Sequence, residues 1–344
     1  MVVSLDRPSI VVIGGGNGSS VLLRGLKHQG VKLTSIVTMF DSGGSSGLLR
    51  EEFGYPPFGD LRQCLMALSD DSDLAATLLT ALDFRFDEAS SLNGHNVGNL
   101  LLAALTSARK DVQAAVDDLA NILALTGNVV PVSLQMADLC AELEDGSLLR
   151  GESTIDLRHN HLPPIKRVFL DPAVDANQRA IDAIMSADAV VMGPGDLYTS
   201  IIPNLLVDRV ASAVKETTAT KIYICNLMTK HGETDGFKAS DFVAEIVRYA
   251  NYARLDWAIV NTREIPEHMR ISYEAEVATP VEIDTPKLDD WADRIMAVPL
   301  SSYDGKVRHD SERLAEAVLS ATELSRAARA VSARQTSEVF TQAD

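Results

Sequence analysis

The sequence predicts an α/β fold in which a mostly parallel, doubly wound sheet carries helices on both faces and makes one β-hairpin excursion. Three observations predict it. Short β-branched runs alternate repeatedly with segments of helical spacing. The first such run passes straight into a glycine-rich turn, as a strand entering a crossover does. One mid-chain segment instead alternates with period two about an Asp-Gly pair, which is a hairpin pattern.

In chain order, SIVVIG (residues 9–14) is short, apolar and β-branched, the pattern of a parallel strand buried on both faces. VLLRGLKHQ (21–29) places apolar side chains at helical spacing, and Gly30 can end that helix. LTSIVTMF (33–40) reads as a second strand. A helix-rich stretch follows over 61–125, in which LLLAALTSA (100–108) is apolar enough to be buried. Residues 138–153 alternate in two halves about Asp145-Gly146, a type I′ hairpin signal, and Pro163-Pro164 then closes a surface loop. ADAVVMGPG (187–195), KIYICNL (221–227) and DWAIVN (256–261) return to buried-type strands separated by helical patterns, and IMAVPLS (295–301) adds another. Residues 311–340 are alanine-rich and helical, with a frayed last turn expected. No linker or internal repeat marks a boundary. One α/β domain is expected over residues 1–320, with a helical tail over 321–344.

The 344 residues are 46% hydrophobic and 23% charged, so a sizeable core is available and global disorder is excluded. Lys and Arg number 31 against 48 Asp and Glu, a formal charge of −17. Such a surface repels phosphate backbones and excludes a nucleic-acid-binding role, while leaving room for a locally positive pocket. Cys64, Cys140 and Cys225 are far apart and form no CxxC pair, which excludes a disulfide scaffold and a cysteine zinc cage. No run approaches the ~20 apolar residues of a membrane span, and the first apolar run lacks the pattern of a signal peptide. A reducing cytoplasm and no membrane insertion are therefore expected.

Five segments could carry chemistry. IGGGNGSS (13–20) lies between a strand and a helix. Glycines there bring backbone N–H groups close to an anion, and the helix N-terminus adds about 0.3–1 kcal/mol of attraction. It contains Gly14-x-Gly16, but Ser19 replaces the third glycine of a dinucleotide fingerprint. A purely geometric turn is the competing reading. FDSGGSSGLLR (40–50) puts Asp41 where a ribose-holding acid would sit, followed by a nest of Gly43, Gly44, Ser45, Ser46 and Gly47, with Arg50 behind it. Two such loops at neighbouring strand ends suit a diphosphate.

The other three are less specific. In GDLRQC (59–64), Asp60 can cap a helix and Arg62 can turn back to the same crevice. NGHNVGNLLLAAL (93–105) sets His95, Asn96 and Asn99 before an apolar helix. These are ligand contacts or hydrogen-bonded structural groups, with His95 a weaker acid/base candidate. MGPGDLYTSIIPN (192–204) leaves a strand and reaches Asp196, Tyr198, Thr199 and Ser200, where a ring could stack and hydroxyls could meet phosphate or ribose. HGETDG (231–236) is expected to form a flexible flap. His159 and His161 lack the cysteines or acids of a metal site, so no metal is expected. No GxSxG elbow, Walker lysine, HExxH or kinase signature is present.

The ordered series GGGNGSS, DSGGSSGLLREEFGYPPFGDLRQCL, NGHNVGNLLLAAL, MGPGDLYTSIIPNLL and ICNLMTKHGETDGF closely resembles the gluconeogenesis-factor family, within the wider 2-phospho-L-lactate transferase (CofD-like) superfamily. The likeness runs from about residue 10 to 317. The resemblance implies a Rossmann-like, three-layer α/β/α fold, a cytoplasmic location and binding of a nucleotide sugar, with UDP-N-acetylglucosamine favoured. It places Gly15, Gly16 and Gly18 in a first phosphate loop and Asp41, Gly43, Gly44 and Ser45 in a second, with Ser46 beside them. It places Asn96 and Asn99 in a GHxxGN element, and Gly195, Tyr198, Thr199 and Ser200 in a PGxLYTS element that includes Asp196. Tyr273 and Arg308 fall where late-chain sugar-nucleotide contacts are expected. Two departures stand out: Asn17 replaces the usual threonine, and Ser42 replaces a second acid after Asp41.

Three functions compete on these grounds. The leading one is a non-catalytic regulator that binds a nucleotide sugar, needs no cofactor, and acts on a protein partner in cell-wall precursor supply and cell shape during gluconeogenic growth. A homo-oligomer is compatible with it. The alternative is a transferase that moves a phospho-lactate-type group from a nucleoside diphosphate, with Asp41 as the catalytic candidate and Mg²⁺ shielding the diphosphate. An NAD-linked oxidoreductase, binding a dinucleotide at the first glycine turn, is the weakest.

Overall fold

The run SIVVIG forms β1 (Ser9–Gly14), and its side chains explain its place: Ile10, Val11, Val12 and Ile13 are each at most 1% exposed, so the strand is covered on both faces. The computed structural model describes residues 7–158, 162–303 and 305–341. After β1 come β2 (Lys32–Val37), β3 (Asn128–Pro131), β4 (Asp138–Leu143), β5 (Leu148–Arg150), β6 (Ile165–Asp171), β7 (Ala189–Met192), β8 (Thr220–Ile224), β9 (Leu255–Asn261), β10 (Ala292–Val298), β11 (Ser301–Ser302) and β12 (Arg308–His309). Seven of them build one sheet in the order β10-β9-β8-β7-β1-β2-β3, and every pair in it is parallel. The order reverses direction at β1, between β2 and β7. That is the switch point at which open α/β sheets bind ligands.

The helices follow as α1 (Gly16–Leu26), α2 (Gly44–Phe53), α3 (Gly59–Leu68), α4 (Asp73–Asp83), α5 (Val97–Arg109), α6 (Val112–Ile122) and α7 (Glu152–Asp156). Then come α8 (Gln178–Met185), a π-turn over Leu197–Ile201 that runs into α9 (Ile202–Leu205), α10 (Val210–Glu216), α11 (Ala239–Ala250), α12 (Glu267–Glu274), α13 (Thr285–Leu288) and α14 (Ser311–Thr341). Helices α1, α3 and α14 pack together on one face of the sheet, and α8 to α11 cover the other. The expected Rossmann-like, three-layer α/β/α architecture is therefore present. Residue 320 falls inside α14, which stays tied to the sheet beyond it: the Trp257 indole N–H donates to Ser325 Oγ at 2.9 Å.

The antiparallel excursion is larger than a hairpin. Strand β6 joins β4 and β5 in a separate three-stranded sheet, β5-β4-β6. Its turn also differs from the expected type I′, because only Gly146 of the Asp145-Gly146 pair has a positive φ, 86°. The Gly146 N–H donates to Leu143 O at 3.0 Å, so the connection is a type I turn followed by a glycine in the left-handed region.

Both glycine-rich segments turn out to be helix starts rather than free loops. α1 begins at Gly16, five residues earlier than its apolar spacing indicates, and α2 begins at Gly44, where only a nest was expected. Glycine and serine hide helical periodicity because they contribute no apolar face to read.

Candidate functional site

A cleft of about 430 Å³ opens over the carboxyl ends of β1, β7 and β8. Its wall comprises the start of α1 (Gly15, Gly16, Asn17, Gly18), the β7 exit (Pro194, Gly195, Asp196, Ser200), the β8 exit (Asn226, Leu227, Met228) and residues from late in the chain, Tyr273, Val307, Arg308 and His309. Close packing of the β1 and β7 exits explains the glycine at 18: a Cβ there would stand 2.3 Å from the Pro194 carbonyl oxygen. The Asn226 amide donates to Gly195 O at 2.9 Å and ties the β8 exit to the β7 exit. The late-chain arm is fixed as well, because Tyr273 Oη accepts the Val307 N–H at 3.1 Å. A second cavity of about 460 Å³ adjoins, sharing Asn226 and Leu227 and lined by a mixture of apolar groups such as Val260, Ile265 and Ile283 and polar ones such as Asn261, Arg263 and Arg270.

The cleft wall carries charges of both signs. Asp60, Glu152, Asp156 and Asp196 line the wall, and so do two arginines, Arg24 and Arg308. Asp60 lies against the first glycine loop, close enough that a Cβ at Gly15 would sit 2.4 Å from its Oδ2. Burial and the nearby charges of Asp41 and Asp196 push its carboxyl up to about 7, against the pull of Arg62 and the Gly16 N–H. Burial and the charge of Asp41 likewise push Glu152 up to about 8. His309 is held neutral: burial lowers it to about 4 despite a hydrogen bond with the Cys225 backbone.

Behind this wall, Lys230 joins three elements. Its ammonium is paired with Asp156, with Asp196 at 2.7 Å and with Glu233 at 3.0 Å. Burial works against its charge, but the three carboxylates outweigh that and raise its pKa. Those same three offer oxygens within 4.8 Å of one another, a spacing that a metal could use. The lysine fills that position, so the triad does not fit a resident metal. Glu233 also accepts from Thr199 Oγ1 at 3.2 Å and from the Tyr198 N–H at 3.3 Å. The segment 231–236 is thus an anchor with a buried carboxylate, not the flexible flap expected of it.

Of the sequence-predicted residues, Gly15, Gly16, Asn17, Gly18, Gly195, Asp196, Ser200, Tyr273 and Arg308 share this one cleft. The others stand outside its lining. Asp41 accepts the Gly43 N–H at 2.8 Å. Ser45 Oγ accepts the Asn96 N–H at 3.2 Å, and Ser46 Oγ accepts the Gly59 N–H at 3.1 Å. Asn96 caps α5 by accepting the N–H groups of Gly98 and Asn99. Tyr198 donates its hydroxyl to Glu245 at 3.0 Å. Gly44 begins α2, and Asn99 is buried in the first turn of α5.

Two flanking residues turn elsewhere. Arg62 pairs with Asp83 at 2.6 Å, away from the crevice, and Arg50 pairs with Asp138 at 2.5 Å, bracing α2 on the excursion. His159 and His161 lie outside the described residues. Sequence reasoning passed over Arg24, Gln63 and Glu152, all in the cleft wall. Arg24 and Gln63 sit on helices that were read for their apolar faces alone. Glu152 was hidden in the tail of the hairpin pattern.

A parallel seven-stranded sheet with a crevice at its switch point, glycine amides on one side and an arginine with a tyrosine on the other, defines a Rossmann-like ligand-binding protein. The family model for 2-phospho-L-lactate transferase CofD matches residues 10–301. The chain belongs to that family. It is 42% identical over 312 residues to the gluconeogenesis factor of Bacillus subtilis, covering 90% of this chain and 96% of the relative. It is 41% identical over 322 residues to the gluconeogenesis factor of Halalkalibacterium halodurans, covering 92% and 97%. A crystal structure of a Bacillus halodurans protein, described as a member of the UPF0052 family, superposes with a TM-score of 0.86 at 39% identity, covering 92% of this chain and all of that one. No helix among the described residues is long and apolar enough to cross a membrane.

Proposed function

We propose that this protein is a cytoplasmic gluconeogenesis factor that binds a nucleotide sugar of the UDP-N-acetylglucosamine type and, through a protein partner, supports cell-wall precursor supply and cell shape during gluconeogenic growth. The observation that carries the reading is the meeting of Gly15–Gly18 at the start of α1 with Tyr273 and Arg308 across one cleft. Amides at a helix N-terminus suit a diphosphate. A half-buried aromatic ring suits a base or sugar face, and a guanidinium suits the second anionic charge. The cleft's volume matches that of small-molecule sites. Asp41, Ser45, Ser46, Asn96 and Asn99 brace the wall from behind. In this reading no group in the cleft acts as a nucleophile.

The test is calorimetric titration with UDP-N-acetylglucosamine. Binding by the wild type, weakened about tenfold or more by Arg308→Ala, supports the reading. No binding, or an Arg308→Ala variant that binds like the wild type, overturns it.

The transferase reading draws on one further observation, the four carboxylates in the cleft wall, Asp60, Glu152, Asp156 and Asp196. Asp156 and Asp196 would meet the Mg²⁺ that accompanies a nucleoside diphosphate once Lys230 released them, with Asp41 as the candidate acid. Mg²⁺-dependent transfer of a phospho-lactate-type group to a deazaflavin acceptor, lost in Asp41→Asn, would favour transfer over regulation.

A further inference from the structure

The chain is rich in carboxylates, and its basic side chains mostly find them. Lys27 takes Asp71, Arg109 takes Asp118 and Arg179 takes Asp117. Several arginines depart from that pattern, and two of them, Arg24 and Arg308, line one cleft. Among the described residues, neither the Arg24 nor the Arg308 side chain has a hydrogen bond or a carboxylate partner, yet both line the same cleft. Arg24 shares with Val21 the face of α1 that looks into it, one turn apart. Helical side chains lean toward the N-terminus of their helix, so Arg24 leans back toward the Gly15–Gly18 end.

The juxtaposition is built into the packing. Gly25 lets α1 close on the first residue of α14: a Cβ there would stand 2.0 Å from Ser311 O. Strand β12, which carries Arg308, ends two residues before Ser311. α1 and the Arg308 segment are thereby locked side by side, and two like charges are brought into one cleft. Partial desolvation beside the cleft, and after it the charge of Arg308, lower the pKa of Arg24.

We propose that Arg24 and Arg308 form a two-guanidinium clamp that closes on the diphosphate of the ligand, so that Arg24 is a binding residue of this site. The inference deepens the nucleotide-sugar reading and rests on it for the identity of the ligand, though not for the anion chemistry. Guanidinium–phosphate hydrogen bonds are charge-assisted and among the stronger polar contacts. The anion removes the repulsion between the two arginines as it binds.

The experiment is calorimetric titration of the full chain with three probes: UDP-N-acetylglucosamine, inorganic pyrophosphate and uridine. In Arg24→Ala, affinity for the two diphosphates is expected to fall about tenfold or more, with uridine unaffected. Their salt dependence should weaken too, because one cation is gone. Arg24→Lys should restore part of the affinity. Among the described residues the Arg24 side chain makes no hydrogen bond and no ion pair with a carboxylate, so the melting temperature should stay near that of the wild type; Arg24→Gln, which keeps the stem, serves if the alanine variant is poorly folded.

Wild-type binding of UDP-N-acetylglucosamine with no loss in Arg24→Ala overturns the clamp and leaves the nucleotide-sugar reading standing. Arg24-dependent binding of pyrophosphate without binding of UDP-N-acetylglucosamine does the reverse. Binding of neither overturns both.

Discussion

The two glycine-rich segments of this chain look alike as text and behave differently as structure. The first, around Gly15–Gly18, starts α1 and opens onto the cleft. The second, around Gly43–Gly47, starts α2 but turns its polar groups inward: Ser45 and Ser46 are buried and accept backbone N–H groups from Asn96 and Gly59. In the first, the N-cap Gly15 offers no side chain, and Asp60 rests against the loop where an anion would come. In the second, Asp41 already takes the Gly43 N–H, and Ser42 Oγ accepts the Ser153 N–H of α7 at 2.9 Å. Glycine and serine make backbone amides available. Which neighbours reach them first decides whether a segment becomes a binding loop or a joint.

The largest test of this contrast is Gly18→Ala. The new Cβ would lie 2.3 Å from Pro194 O, 2.7 Å from Pro194 C and 2.9 Å from Gly195 N, all backbone atoms that cannot swing aside. The β1 and β7 exits would have to separate, at a cost of about 3 kcal/mol or more. A lowered urea midpoint and a melting temperature reduced by several degrees are expected. A variant as stable as the wild type would show that the two exits are not in tight contact, and the cleft geometry would fall with that contact.

The same contrast shows how much was legible beforehand. The parallel strands could be read because a strand covered on both faces must be uniformly apolar, as in Ile10–Ile13. Glycine turns at the carboxyl edge located the crevice, since crossover connections must leave the sheet there. What could not be read was direction. In the sequence Asp60 has the look of a helix cap, yet it points at the first glycine loop, and Lys230 carries no motif, yet three carboxylates surround it. Arg24 reads as an ordinary polar position on an amphipathic helix. Only the return of residue 308 from the far end of the chain makes it part of a cleft. Periodicity reports which face is buried, and it says nothing about which distant segment will meet the other face.

A smaller effect concerns the acid that leans on the first loop. Asp60 holds its proton up to about pH 7 in the folded protein, against about 3.9 in an unfolded chain. The folded state therefore binds the extra proton. Stability from this group is fully present below about pH 4 and is lost as pH rises through 7. Glu152, raised to about 8, acts in the same direction. At about 1.4 kcal/mol per unit, Asp60 alone should lower stability by on the order of a few kcal/mol between pH 5 and pH 7, and Glu152 should carry the decline on to pH 8. Asp60→Asn should flatten it without abolishing it, because Glu152 remains. Urea midpoints across that range provide the measurement. An unchanged slope in the variant would show that Asp60 is ionised and solvated, and that the first loop is free of it.

The smallest expected effect is the sharpest on the second segment. Gly43 has an extended backbone with φ −97°, and a Cβ there would meet only Asp41 Oδ1 at 3.4 Å and Ser153 Cβ at 3.8 Å. Alanine therefore fits without strain, and the lower entropy of its unfolded chain offsets the modest loss of a favoured N-cap residue. Gly43→Ala should shift stability by no more than about 0.5 kcal/mol, and UDP-N-acetylglucosamine affinity should change less than about threefold, equivalent to the same energy. A variant that keeps its fold but loses the ligand would mean that the second segment touches the diphosphate after all. Asp41 would then have to release the Gly43 N–H when ligand arrives, and the two glycine loops would act as one site with two walls rather than as a site and its support.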